Sequence, residues 1–304
     1  PIGTPPHALA ERGYPAATLW PRMDVHNESD TFDIGGDLTV HRLGYGAMRL
    51  CGPNIVGEPD EDTDPTAVLR RAVEVGVDFV DTSDAYGPGV NERQIREALA
   101  PYPDDLVVAT KGGLLRNRDG DWIPHGDPDY LRNAVLCSLD RLGVETIDLY
   151  QLHRPDPDVP LEDSLTALAE LQDDGVIRHV GVSNVDADQL QRARDVVDVA
   201  TVQNQYNVAD RESEDVLEMC EREDIGFVPW YPLGAGDLGE KADVLESVAD
   251  AHDATPRQVA LAWLLEHSPV TLPIPGTSTV SHLEENVAAA SLSLDDDEMA
   301  RLSE

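Results

Sequence analysis

Residues 77–153 place four side chains where they could move protons. The mostly apolar run 77–80 ends on Asp81, and Tyr86-Gly87 comes five residues later. A short helical stretch, 91–100, leads into a second apolar run, 106–109, after which comes Lys111. A third run, 147–152, goes straight into His153. Each run has the length of a buried strand, and ligands of parallel α/β sheets bind at strand carboxyl ends. An acid, an ammonium, a phenol and an imidazole on one rim form a set suited to general acid–base chemistry. The chain holds only two lysines, Lys111 and Lys241, among 22 basic residues. A lysine kept at a strand end in such a chain points to a task. The plainer alternatives are a solvated terminal charge, an Asp–Lys structural bridge and a core tyrosine.

The elements that must position these groups alternate along the chain. Thr31–Ile34, Gly35-Gly36 and 38–40 read as a β-hairpin, because Gly-Gly supplies the positive φ of a tight turn. A short glycine-rich strand spans 43–48. Strands are then predicted at 77–82, 106–110, 147–152, 177–182, 199–204, 225–230 and 270–274. Helices are predicted at 64–76, 90–100, 129–143, 161–174, 186–196, 209–224, 241–252, 256–267 and 279–290. Asp64-Pro65 and Thr255-Pro256 set a capping side chain before a proline at the first helical position. Gly76, Gly143 and Gly175 fall where helices should end. Eight strands each followed by helical sequence predict an α/β fold, a (β/α)8 TIM barrel whose bottom the N-terminal hairpin closes. Residues 116–128, charged and containing glycine, read as a mobile lid.

At 304 residues the chain suits one barrel domain, taken as 23–304. Residues 1–22 are proline-rich, lack the acidity of the remaining chain and show no periodicity. They read as a disordered or non-native extension. The net charge of -37 disfavours nucleic acid and anionic membrane surfaces as partners, and it suggests a halophilic cytoplasm where salt screens self-repulsion. No membrane-length apolar run and no signal-peptide core is seen, so a cytoplasmic location is expected. Cys51, Cys137 and Cys220 have no disulfide or zinc spacing, and no metal is expected.

Several motifs together resemble the aldo-keto reductases. They are Asp81-Thr82-Ser83-Asp84-Ala85-Tyr86-Gly87, Lys111, His153, Gly181-Val182-Ser183-Asn184, Gln203-Asn204-Gln205-Tyr206-Asn207, Ile274-Pro275-Gly276-Thr277 and Glu285-Asn286. The likeness covers roughly 31–300 in order, and 225–290 looks most like the subgroup that includes pyridoxal reductases. The resemblance implies reduction of a small-molecule aldehyde or ketone with a nicotinamide coenzyme. Tyr86 would be the proton donor, Lys111 and Asp81 would ease its ionisation, and His153 would orient the carbonyl.

The same resemblance implies a coenzyme site. Gly46, Ala47 and Met48 would line the pocket, and Ser183, Asn184 and Gln205 would bind the carboxamide. Trp230 stands where an aromatic meets the nicotinamide, and Tyr231, Pro232, Leu233 and Gly234 would pass the pyrophosphate. Gly276, Thr277, Ser278 and His282 would face the 2′-phosphate, with Glu285 and Asn286 at the adenine edge. Gly276 and His282 replace the lysine and arginine that many members carry. NADP is favoured by family habit and NAD is the alternative. Met48, Leu50, Leu114, Trp122, Tyr206 and Trp230 would make an apolar substrate wall. Two other classes compete: a non-catalytic NADP-binding regulatory subunit of the same fold, and a metal-dependent barrel hydrolase. The intact Asp81, Tyr86, Lys111 and His153 set argues against the first. The lack of clustered His and carboxylate ligands argues against the second.

Overall fold

The computed structural model describes residues 25–234 and 239–304. The expectation for 1–22 lies outside the described residues. β1 (Thr31–Ile34) and β2 (Leu38–His41) pair antiparallel from Thr31↔His41 to Ile34↔Leu38. Gly35 and Gly36 take φ of 62° and 81° in the turn. The next elements are β3 (Tyr45–Gly46), α1 (Pro65–Glu74), β4 (Phe79–Asp81), α2 (Val90–Leu99), β5 (Val107–Gly112), β6 (Leu114–Arg116), β7 (Trp122–Pro124) and α3 (Pro128–Leu142). They are succeeded by β8 (Ile147–Leu152), α4 (Leu161–Asp173), β9 (Ile177–Ser183), α5 (Ala187–Arg194), β10 (Val199–Gln203), α6 (Glu214–Glu223) and β11 (Gly226–Phe227). Helices α7 (Ala242–His252), α8 (Pro256–His267), α9 (Val280–Ala288) and α10 (Asp296–Ser303) complete the chain.

Seven strands form one parallel sheet in the order β11-β10-β9-β8-β5-β4-β3. The expected eighth strand, 270–274, is reduced to a bridge between Phe227 and Thr271. Prolines at 273 and 275 remove two ladder donors, which explains the loss of regular strand. The segment still reaches both edges of the sheet. Phe227 N–H donates to Val270 O at 2.8 Å, Leu272 N–H to Phe227 O at 2.7 Å, and Gly44 N–H to Pro273 O at 3.0 Å. This arrangement fits a (β/α)8 barrel.

Strand alternation sorts the side chains. Phe79, Val107, Ala109, Leu149, Ala200, Val228, Leu272 and Ile274 share one core with Ile34, Leu38 and Val40 of the hairpin. Val80 and Val108 pack outward against α1 and α2, and Tyr150, Leu152, Val180 and Val182 against α3, α4 and α5. Two residues beyond the inward apolar positions, the same strand faces carry Asp81, Lys111 and Gln151.

Helix starts obey their caps. Asp64 accepts from Ala67 N–H at 3.0 Å, and Thr255 with Gln258 forms a capping box on α8. Differences from the sequence reading have local causes. Helix α6 begins at Glu214, not 209, because Asn207 and Asp210 exchange backbone hydrogen bonds of 2.9 and 3.1 Å in a turn. The predicted strand 43–48 holds only Tyr45–Gly46 before a 3₁₀ turn at Ala47–Leu50, and α10 is an additional helix. The expected lid, 116–128, overlaps the hairpin β6–β7, which begins at Leu114 and for which Asp119-Gly120, with Gly120 at φ 84°, is the turn signal. No helix among the described residues is long and apolar enough to cross a membrane.

Candidate active site

The last inward position of β4 is Asp81, and that of β5 within reach of it is Lys111. Both side chains are buried, and Lys111 Nζ lies 2.6 Å from Asp81 Oδ1. The same ammonium donates to Thr82 O at 2.8 Å and to the Tyr86 hydroxyl at 3.4 Å. The second carboxylate oxygen of Asp81 accepts from Gln203 Nε2 at 2.9 Å and Gln151 Nε2 at 3.3 Å. Every polar group of this inner cluster therefore has a partner, as burial demands. Tyr86 arrives on the turn between β4 and α2, and its ring meets His153 edge-on at 5.8 Å. His153 comes directly after β8, with Nδ1 3.0 Å from Ser83 Oγ. The four predicted side chains are thus brought together.

Burial acts differently on each group. It pushes the Tyr86 phenol well above its ordinary range, with Asp81 adding to the effect. It lowers Lys111, which Asp81 opposes by favouring the ammonium. His153 is held well below its ordinary value by burial, then by the nearby charges of Lys111, Arg154 and Arg116. At neutral pH the site accordingly holds a neutral phenol and a neutral imidazole beside the Asp81–Lys111 salt bridge.

These groups open into a pocket lined by Gly46, Met48, Leu114, Trp122, Ser183, Asn184, Trp230, Tyr231, Pro232, Leu233 and Gly276, among others. Gly46 and Gly276 present backbone here: a Cβ on Gly46 would stand 2.7 Å from Ile274 O, and one on Gly276 3.0 Å from Gly46 O. Asn184 and Tyr231 have positive φ, 59° and 54°. For tyrosine that is unusual backbone, of the kind found at ligand sites. Asn184 Nδ2 donates to His153 O at 3.1 Å and to Ser183 Oγ at 2.9 Å. Trp230 Nε1 is buried with no acceptor among the described residues. Glycine backbone, polar side chains and an orphaned indole N–H on one wall fit a nicotinamide nucleotide.

Trp122, on β7, contributes an edge to both Tyr86 and His153, with ring centroids 6.2 and 6.3 Å away. The Arg116 guanidinium lies 3.5 Å over its ring and donates to Asn54 O and Gly120 O at 2.6 and 2.9 Å. The hairpin is thereby fastened beside the pocket that Leu114 and Trp122 line.

Other predicted residues lie elsewhere. Leu50 is enclosed in the core against α1 and α2, not on the substrate wall. Tyr206 is fully buried, stacked at 6.0 Å on Trp263 with its hydroxyl 2.7 Å from Glu214. It belongs to the packing behind the sheet. Gln205 turns to Asp210, with Nε2 at 2.7 Å, so the amide beside Asp81 is Gln203. After a register shift between Val199 and Thr201, Thr201 and Gln203 face the inner polar cluster, and β10 ends at Gln203. Gln151 and Gln203 are site residues that the motifs do not single out, although strand alternation places both on the inner face. Ala47 is buried and passes its carbonyl to Asn91 Nδ2 at 3.1 Å. Gly234, Thr277, Ser278, His282, Glu285 and Asn286 lie outside the pocket lining. Thr279 Oγ1 caps α9 by accepting His282 N–H at 3.4 Å, and Glu285 Oε1 accepts the Thr255 hydroxyl at 2.9 Å.

A parallel α/β fold with an acid–base cluster and a cleft at its strand ends has the layout of an enzyme. The chain belongs to the aldo/keto reductase family, whose model matches residues 42–304. It is 48% identical over 269 residues to an uncharacterised oxidoreductase of Schizosaccharomyces pombe, covering 88% of each chain. It is 43% identical over 281 residues to pyridoxine 4-dehydrogenase of Escherichia coli, covering 90% of this chain and 97% of that one. The solved structure of an aldo-keto reductase from Klebsiella pneumoniae in complex with NADPH superposes with a TM-score of 0.76 at 28% identity, covering 90% of this chain and 94% of that one. The protein is an NAD(P)-dependent oxidoreductase.

Proposed function

We propose that the protein reversibly reduces an aldehyde or ketone to the alcohol, with Tyr86 giving the proton and NADP(H) as the favoured coenzyme. The chief support is the buried Lys111 ammonium, 2.6 Å from Asp81 and 3.4 Å from the Tyr86 hydroxyl. A carbonyl that gains a hydride develops negative charge on oxygen and must take up a proton. Tyr86, kept neutral by burial, has one to give. As it leaves, the phenolate acquires the ammonium as its nearest charge, and each unit of pKa so recovered is about 1.4 kcal/mol. Asp81 keeps Lys111 charged inside the protein. His153, neutral, offers a ring N–H to the carbonyl oxygen and steadies the developing charge.

The reduced nicotinamide supplies the hydride when bound. Ser183 and Asn184 would hold its carboxamide, Trp230 would contact its ring, and backbone from Gly46, Gly276 and Tyr231–Gly234 would flank the phosphates. Thr277, Ser278, His282, Glu285 and Asn286 would meet the adenosine end. The NADPH complex of the Klebsiella relative supports NADP. The missing cations at Gly276 and His282 keep NAD as the alternative. Met48, Leu114, Trp122 and Trp230 supply an apolar, aromatic wall for the substrate, and the likeness to pyridoxine 4-dehydrogenase makes pyridoxal the first carbonyl to try.

The test is oxidation of NADPH and of NADH, separately, with a panel of aldehydes in ~2–3 M KCl, a salt chosen for the net charge. Tyr86→Phe should lose about 10²–10⁴-fold in turnover while still quenching nicotinamide fluorescence. A variant as active as the parent would remove Tyr86 from the mechanism. Coenzyme binding without turnover on any carbonyl would favour the regulatory reading.

A further inference from the structure

Ser83 is buried beside the acid, and its hydroxyl meets more groups than packing requires. Oγ accepts Ala85 N–H at 3.1 Å and stands 3.0 Å from His153 Nδ1 and 3.3 Å from Oδ1 of half-buried Asp84. The Lys111 carbonyl lies at 3.5 Å, the limit of reach. A hydroxyl has one proton, so Oγ can donate to His153 or to Asp84 and not to both. Where it donates to Nδ1, the ring proton of a neutral imidazole sits on Nε2. Where it donates to Asp84, Nδ1 carries the proton and gives it to Oγ, leaving Nε2 a bare acceptor. The charge of Asp84 makes the choice. A carboxylate outbids a neutral imidazole for the hydroxyl proton, whereas a protonated carboxyl is itself a donor.

We propose that Ser83 and Asp84 are positioning residues that select the tautomer of His153, and so decide whether His153 can hold a carbonyl oxygen. With Asp84 protonated, its O–H gives to Ser83, Ser83 gives to Nδ1, and Nε2–H faces the substrate. With Asp84 ionised, Nε2 can only accept. One proton separates the two states: it enters at Nε2, the Nδ1 proton passes to Oγ, and the Oγ proton passes to Asp84.

The surroundings of Asp84 suit such a role. Glu92 on α2 is buried and paired with Arg141 on α3. Burial first, then the charge of Glu92, raises the Asp84 carboxyl to about 7, with Arg141 opposing. Lys111 on β5, Tyr130 on α3 and Tyr150 on β8 are near enough to interact with its charge, Arg116 on β6 and Cys137 on α3 line the same hollow, and Tyr86 lies two residues along the chain. The Tyr130 hydroxyl is 3.5 Å from Oδ2. Because burial and neighbouring cations hold His153 neutral, the ring changes tautomer and not charge.

The inference rests on the reductase reading, and its test separates the two. In protein carrying ¹⁵N-histidine, long-range ¹H–¹⁵N spectra distinguish Nδ1–H from Nε2–H, and His153→Gln assigns the signal. Wild type should pass from Nε2–H at pH 6 to Nδ1–H at pH 8.5. Asp84→Asn should hold one tautomer throughout. Ser83→Ala should uncouple the ring from pH, and Ser83→Thr, which keeps the hydroxyl, should restore the coupling. Reductive kcat/KM should fall about tenfold from pH 6 to pH 8 in wild type, as expected for one essential proton. That fall should be absent in Asp84→Asn. A wild-type tautomer independent of pH, or an Asp84→Asn protein with the wild-type profile, overturns the inference while Tyr86→Phe still judges the reductase reading. If no carbonyl is turned over, the spectra decide the inference unaided.

Discussion

Replacing Lys111 by methionine should separate what the lysine does for stability from what it does for turnover. Asp81 is 2% exposed and has three donors, Lys111, Gln203 and Gln151. Removing one partner of a buried pair typically costs about 3–5 kcal/mol because a charge stays behind unpaired. The two glutamine amides remain, which sets the expected loss near the lower end, about 3 kcal/mol. A chain of 304 residues has an unfolding entropy of about 0.6 kcal/mol/K, so the midpoint should fall by about 5 °C. Lys111→Met/Asp81→Asn removes both charges and should recover most of the stability, because neutral replacements of a buried pair are tolerated. It should recover no turnover, since no ammonium faces Tyr86. Thermal unfolding, with coenzyme oxidation measured on the same samples, checks both halves. A Lys111→Met protein as stable as wild type at pH 7.5, or a double variant that turns over substrate, is incompatible with this account of the lysine.

Gly276→Lys should raise the preference for NADPH over NADH by about 10–100-fold, the range of one charge-assisted hydrogen bond at about 1.5–3 kcal/mol. The new Cβ would stand 3.0 Å from Gly46 O, so a small loss of stability should accompany the gain; the ratio of kcat/KM for the two coenzymes is the readout. The net charge of -37 predicts a midpoint of unfolding that climbs with KCl between ~0.1 and ~1 M, as the screening length shrinks from about 10 to 3 Å. A midpoint flat across that range would contradict the reading of the charge as a salt adaptation.

A feature can be read from the chain when it is encoded over a short range. Asp81, Lys111 and His153 could be placed because strand period and chain order fix which residues stand at a strand's carboxyl end, and Tyr86 because the turn after Asp81 is short. Helix starts could be placed because Asp64, Thr255 and their prolines act within one turn. The order of alternating strands and helices likewise limits the topology to a few parallel arrangements. The features that escape such a reading depend on neighbours far along the chain. Tyr206 and Leu50 look like pocket residues by composition, but Tyr206 turns outward onto Trp263 and Leu50 into the core behind α1 and α2. Gln205 and Gln203 are alike in type, and only the register Gln203↔Ser183 and the contact with Asp81 tell them apart. Local period and spacing were therefore enough for the α/β fold class, for the alternation of the main strands and helices, and for Asp81, Lys111 and His153 at the strand ends with Tyr86 on the turn that follows. The three-dimensional packing was needed to show which amides support Asp81, that Trp122 of the hairpin meets Tyr86 and His153, and that Ser83 meets His153, because those contacts join residues whose proximity the folded sheet creates.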